Sequence, residues 1–250
     1  MAAPLLVFDF DGVIVDGMGE YWWAARQSVL ELAPGACPPE PIPEGFELLR
    51  PLIHKGWEMV LIAAELSRPD PGAALAALLD SYDATLPRAL ARWGWNPELL
   101  QTTLERIRRV SIAADRAGWL AMHRFYPGVP RRLQALAAEG ADWLVLTTKG
   151  GDFARELLSS GALDPLAVYG HEQGSKPEVL RRLVDDGREL WFVEDRRPTL
   201  ELVSTTPGLE RVRCFLASWG YLGPGDRDHL PTGIRLLEPQ RFEAPLADWI

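Results

Sequence analysis

Leu5-Leu6-Val7-Phe8-Asp9-Phe10-Asp11-Gly12-Val13-Ile14-Val15-Asp16 is the stretch on which the fold turns. Four apolar residues bounded by an acidic one read as a short buried strand. In a strand of period two, Asp9 and Asp11 point the same way, so two carboxylates converge where the strand ends. Burying like charges together is costly unless a cation or a shared proton relieves them. The pair therefore implies a metal, an acid/base division of labour, or both. A solvated strand-to-loop junction is the plainer alternative, because Asp is common in turns. Gly12 lets the chain turn sharply directly afterwards.

Outward from this strand, further short apolar runs recur at Trp143–Leu146, Leu166–Tyr169, Leu190–Val193 and Val212–Ala217. Helical patterns lie between most of them, over Val129–Glu139, Phe153–Ser160 and Pro177–Asp185. Alternating strands and helices predict a parallel sheet covered on both faces, with ligands bound at the carboxyl ends of its strands. Residues 16–124 break the alternation. There Glu20–Leu32, Phe46–Leu66, Ala73–Trp93 and Pro97–Met122 show helical spacing without convincing strands, which predicts a helical insertion after the first strand. Six of the ten tryptophans fall in it (Trp22, Trp23, Trp57, Trp93, Trp95 and Trp119), and are expected to fill the core of a small helical unit.

Composition removes several function classes. The chain has 250 residues, 47% hydrophobic and 24% charged, with a formal charge of −9. An acidic balance argues against a binder of nucleic-acid backbone, which gains from a basic surface. No signal peptide is expected from the N-terminal run, which Asp9 interrupts, and no stretch is long and apolar enough to span a membrane. Cys37 and Cys214 have no metal spacing and no disulfide framework, so a cytoplasmic, soluble protein is expected. Of 26 basic residues only Lys55, Lys149 and Lys176 are lysines. An arginine-preferring chain that keeps a lysine suggests a place for a compact point charge rather than a planar fork.

The segment DFDGVIVD resembles the first motif of the haloacid dehalogenase (HAD) superfamily of phosphohydrolases, and three further segments resemble its other motifs in order. Trp143-Leu144-Val145-Leu146-Thr147, followed by Thr148-Lys149, resembles the second, with Tyr126-Pro127-Gly128-Val129 like the family's lead-in. Ser175-Lys176-Pro177 resembles the third. Trp191-Phe192-Val193-Glu194-Asp195 resembles the fourth, in the Glu-Asp form of beta-phosphoglucomutase-like members. Position 199 is Thr where many members have a further Asp, and Arg196 replaces the usual Ser. Phe192 to Arg196 with Thr199-Leu200 is similar to a little-characterised cyanobacterial and plant branch, and Ser218-Trp219-Gly220-Tyr221 resembles a segment often seen after the fifth strand.

The resemblance implies an α/β fold: a HAD-type Rossmann-like parallel sheet core at residues 1–15 and 125–250, with an inserted all-helical C1 cap at 16–124 that sets specificity. It implies a phosphatase acting on a small phosphate ester, as a monomer or homodimer, with Asp9 as nucleophile and Asp11 as general acid/base. Thr147 and Lys176 would donate to the phosphoryl oxygens. Oxygens from Asp9, the backbone of Asp11, Glu194 and Asp195 would hold Mg²⁺, a hard-oxygen set. Gly12, Thr148 and Arg196 are further candidates for substrate contact. Members that attack carbon lack the second Asp, so Asp11 favours phosphoryl chemistry. A phosphomutase with the same intermediate and a non-catalytic binding protein are the alternatives. Lys149 stands where the family often has Lys, with a surface position equally expected. Lys55 and the cluster Glu105-Arg106-Ile107-Arg108-Arg109 are expected on solvated faces.

Overall fold

The computed structural model describes residues 3–184 and 187–249, so the expected helix end at Asp185 lies outside the described residues. The chain divides into two compact units, Met1–Asp16 with Arg124–Ile250, and Gly17–His123.

In the first unit, strands β1 (Leu5–Phe8), β4 (Asp142–Leu146), β5 (Val168–Tyr169), β6 (Leu190–Glu194), β7 (Arg213–Ala217) and β8 (Ile234–Leu237) form one sheet in the order β5-β4-β1-β6-β7-β8. Every pairing is parallel. β1 is central and buried at all four positions, as a strand covered on both faces must be. Leu5 and Val7 join Leu144, Leu146, Phe192 and Leu216 in one core cluster. On alternate positions, Phe8 meets Trp143 and Phe242 edge-on. From β1 the chain goes first to β4 and β5 on one side, then to β6, β7 and β8 on the other. That reversal opens a crevice at the carboxyl end of β1.

Helices α8 (Val129–Ala135), α9 (Gly151–Ser160), α10 (Lys176–Val184), α11 (Arg197–Thr205) and α12 (Pro239–Glu243) connect and cover these strands. β8 has no counterpart in the sequence reading. It is an edge strand of four residues, Ile-Arg-Leu-Leu, with Arg235 exposed, too short for a clear alternation. The sequence reading also lacks the antiparallel pair β2 (Val15–Asp16) and β3 (Arg124–Phe125), two residues each, through which the chain leaves and re-enters this unit.

The second unit, as described, is helical: α1 (Met18–Leu32), α2 (Glu44–Leu49), α3 (Gly56–Leu66), α4 (Pro71–Asp80), α5 (Tyr82–Trp93), α6 (Pro97–Ala114) and α7 (Arg116–Ala121). Three long helices expected from spacing are each divided in two. Pro51 falls in a short 3₁₀ turn between α2 and α3. Ser81, at φ −152° and ψ 74°, separates α4 from α5. Asp115 ends α6 and caps α7, its carboxylate accepting from the N–H of Gly118 at 2.8 Å. Trp22 and Trp119 are buried here, while Trp23, Trp57, Trp93 and Trp95 are half-buried. Lys55 is exposed. The basic cluster is not uniformly solvated. Arg109 pairs with Glu105 one turn away, Arg106 with Glu31, but Arg108 is buried against Glu20 through two hydrogen bonds of 2.7 and 2.8 Å. No helix among the described residues is long and apolar enough to cross a membrane.

Candidate active site and metal centre

The sheet brings chemistry-bearing residues to one edge by simple register. Phe8 pairs with Val145 on β4 and Val193 on β6, so the residues that follow those positions emerge side by side. Asp9 extends this pairing, its N–H donating to the carbonyl of Val193 at 2.9 Å. Glu194 ends β6 and Asp195 follows it. Thr147 follows β4, and Lys176 opens α10.

Asp9, Glu194 and Asp195 are all buried and each offers a carboxylate oxygen within 4.8 Å of the others. Lys176 Nζ donates to Glu194 Oε2 at 2.5 Å and lies 2.8 Å from Asp9 Oδ1. Asp9 Oδ1 is buried and, among the described residues, receives no directed hydrogen bond despite that ion pair. Glu194 Oε1 accepts the backbone N–H of Arg196 at 3.1 Å, and Asp195 Oδ2 accepts that of Tyr221 at 2.8 Å.

The electrostatics follow from these counts. Burial, with Glu194 beside it, raises the Asp9 carboxyl from 3.8 to about 8, against the opposing pull of Lys176. Burial also raises Glu194, with Asp195 adding to it and Lys176 opposing. Burial works against the Lys176 ammonium, but Asp9 and Glu194 outweigh it and hold the lysine charged well above its ordinary value.

Three buried carboxylates gather in a desolvated corner where Lys176 pairs with two of them, an arrangement that a divalent cation would stabilise. The donors are all oxygen, the set that suits Mg²⁺ rather than zinc. The residues present therefore fit the group.

Gly12, at φ +94°, packs against this cluster. Gly220 lies beside it; a Cβ on Gly220 would meet Asp195 Cβ at 2.3 Å and the Gly12 carbonyl oxygen at 2.5 Å. The Asp11 carboxylate pairs with Lys149, whose Nζ is 3.4 Å from Oδ1. Thr147 is buried, and its hydroxyl oxygen accepts the N–H of Lys149 at 3.0 Å. Thr148 is half-buried beside it. Arg196 turns its guanidinium to Thr199 Oγ1 at 3.4 Å, at the start of α11.

Sequence reasoning gave no site role to Tyr221 or Gly220, which support Asp195. Their signal was the Trp-Gly-Tyr segment after β7, whose meaning depends on a loop returning beside Asp195. Lys149, for which the sequence supports a surface and a site position equally, is buried.

The fold has counterparts among solved structures described as phosphatases and haloacid dehalogenase-like proteins. A predicted phosphoglycolate phosphatase from Haemophilus somnus 129pt matches with a TM-score of 0.60 and 14% identity, covering 93% of each chain. A predicted phosphatase from Clostridium acetobutylicum matches at 0.61, with 13% identity and 94% of each chain covered. A haloacid dehalogenase-like family hydrolase from Streptococcus pneumoniae matches at 0.54, with 14% identity and 95% of each covered. At such identities the likeness is one of fold. In sequence, a 5'-nucleotidase from Pseudomonas aeruginosa is 31% identical over 135 residues. That match spans 50% of this chain and 56% of the relative, so the chain covers little more than half of that protein's length. No protein-family model matches the chain.

Proposed function

We propose that this protein is a Mg²⁺-dependent phosphohydrolase that acts on a small phosphorylated metabolite through an aspartyl-phosphate on Asp9. The observation that carries the reading is the buried Asp9–Glu194–Asp195 trio, countered by Lys176, at the point where the sheet reverses its strand order. Three of the proteins named above are called phosphatases or a 5'-nucleotidase, which supports the same class of substrate.

In the first step an Asp9 oxygen forms a bond to phosphorus as the ester P–O bond breaks. The electron pair goes to the leaving oxygen, which takes the proton of the Asp11 carboxyl. In the second step Asp11, now ionised, takes a proton from water. The water oxygen bonds to phosphorus, and Asp9 leaves as a carboxylate with release of inorganic phosphate. Thr147 and Lys176 donate to the non-bridging oxygens, where charge develops. Mg²⁺, held by Asp9, Glu194, Asp195 and the backbone carbonyl of Asp11, would supply the positive charge that lets a carboxylate approach a phosphate dianion. Gly12 and Thr148 are assigned to the rim that meets the phosphate, and Arg196 to a second anionic group of the substrate. The helical unit Gly17–His123 is assigned the role of a specificity cap.

The test is phosphate release from a panel of monoesters, with and without Mg²⁺, by wild type and Asp9→Asn. Release that requires Mg²⁺ and vanishes in Asp9→Asn is expected. Equal rates in the two proteins would defeat the proposal.

A further inference from the structure

Two of the three lysines lie among the four carboxylates of the sheet edge, and they divide the labour. Lys176 pairs with Asp9 and Glu194; Lys149 pairs with Asp11. The Lys149 side chain is 1% exposed, so its ammonium has lost most of its hydration, a loss that only a close anion offsets. Its backbone is fixed on both sides. The N–H of Lys149 donates to Thr147 Oγ1 at 3.0 Å, and its carbonyl accepts from the N–H of His171 at 3.2 Å. Thr147 in turn donates its N–H to the carbonyl of Tyr169 on β5 at 2.9 Å. The ammonium thus hangs from a loop tied to two strands. Asp11, by contrast, sits in a tight turn held by Gly12 N–H to Val15 carbonyl at 2.9 Å, and its side chain is 16% exposed.

We infer that Lys149 is a positioning residue for Asp11, holding that carboxyl aimed at the leaving-group oxygen. The inference rests on the proposed phosphohydrolase reading and adds a residue to it. A short point charge on a rigid loop does this better than a guanidinium, consistent with a lysine retained in an arginine-rich chain.

The experiment compares two monoesters in the full-length protein with Mg²⁺. 4-Nitrophenyl phosphate has a leaving group that departs without a proton; glycerol 3-phosphate has an alkoxide that needs one. For Lys149→Met, kcat on the alkyl ester should fall about 10²-fold and on the aryl ester less than about fivefold, the range of a mispositioned general acid. Asp11→Asn should show the same split, and the double variant should be no worse than Asp11→Asn alone, because the two residues act as a unit. Lys149→Gln gives a milder second variant. The ratio of the two rates does not depend on how much of a preparation is folded. An equal loss on both esters, or a rise in KM with kcat unchanged, overturns the inference and makes Lys149 a structural or substrate-binding residue. A wild type that releases phosphate from neither ester overturns the underlying reading as well.

Discussion

Gly12 and Asp195 touch so closely that a Cβ on Gly12 would lie 1.9 Å from Asp195 Oδ2. Asp195 therefore occupies the space that a side chain would need, and the sharp turn after β1 and the acidic end of β6 are built around one another. The backbone adds a second demand, since φ of +94° strains any residue but glycine.

Gly12→Ala should accordingly be costly twice over. Backbone strain of about 1–3 kcal/mol adds to a collision with a carboxylate that Tyr221 holds in place. The expected result is a lower melting temperature together with Mg²⁺ affinity reduced by about tenfold or more, the scale of a disturbed ligand support. Calorimetric titration and thermal melts on the same preparation check it. Unchanged Mg²⁺ affinity would mean that Asp195 does not need its present position.

Lys176→Met removes the ammonium that lies between Asp9 and Glu194. Leaving buried carboxylates without their partner should cost the metal-free protein about 3–5 kcal/mol by denaturant unfolding. Mg²⁺ should restore part of that stability. Activity should fall by about 10²–10³-fold, the loss typical of one transition-state donor. Stability unchanged in the absence of metal would contradict the assigned charge balance.

The Asp9 carboxyl, raised by burial and by Glu194 to about 8, gives the metal-free protein a pH signature. Below about pH 4 the acid is protonated in both folded and unfolded chains, and its contribution to stability is fully present. As pH rises from the unfolded value of 3.8 through 8, only the unfolded chain ionises freely, and that contribution is lost. Metal-free thermal stability should therefore decline toward pH 8 through this group. Mg²⁺ competes with the proton, so its apparent affinity should rise by about tenfold per pH unit below pH 8. Titrations at several pH values check the slope, and a flat profile would show that no proton is displaced.

How much of this was legible beforehand differs from element to element. β1, β4, β6 and β7 are buried runs bounded by turn or acidic residues, and such runs announce themselves. Their end residues, Asp9, Thr147, Glu194 and Asp195, could be placed on one edge because parallel strands end together. Lys176 was legible through its rarity. Tyr221 was not, because its contribution is a backbone N–H to Asp195 and every residue but proline has one. Lys149 was ambiguous because a charged residue three positions beyond a strand is as often solvated as buried. The burial of Arg108 was hidden by its neighbours. Arg106 and Arg109 form the exposed pairs that a basic run suggests, while the residue between them on the helix turns inward to Glu20.

That inward pair yields a prediction within the helical unit alone. Glu20 and Arg108 are both nearly inaccessible, and Glu20 Oε1 also lies 3.3 Å from Trp119 Nε1, which donates to it. His123 Nε2 stands 3.8 Å from the other oxygen. A bidentate pair in such surroundings has strong attraction, but both ions have given up hydration to form it, so the two terms nearly cancel. Removing one partner exposes only the cost. Arg108→Met or Glu20→Gln should each destabilise the protein by about 3–5 kcal/mol, whereas Glu20→Leu combined with Arg108→Met should recover much of that loss. A double-mutant cycle by chemical denaturation checks it, with strict additivity of the single losses as the result that would refute the coupling.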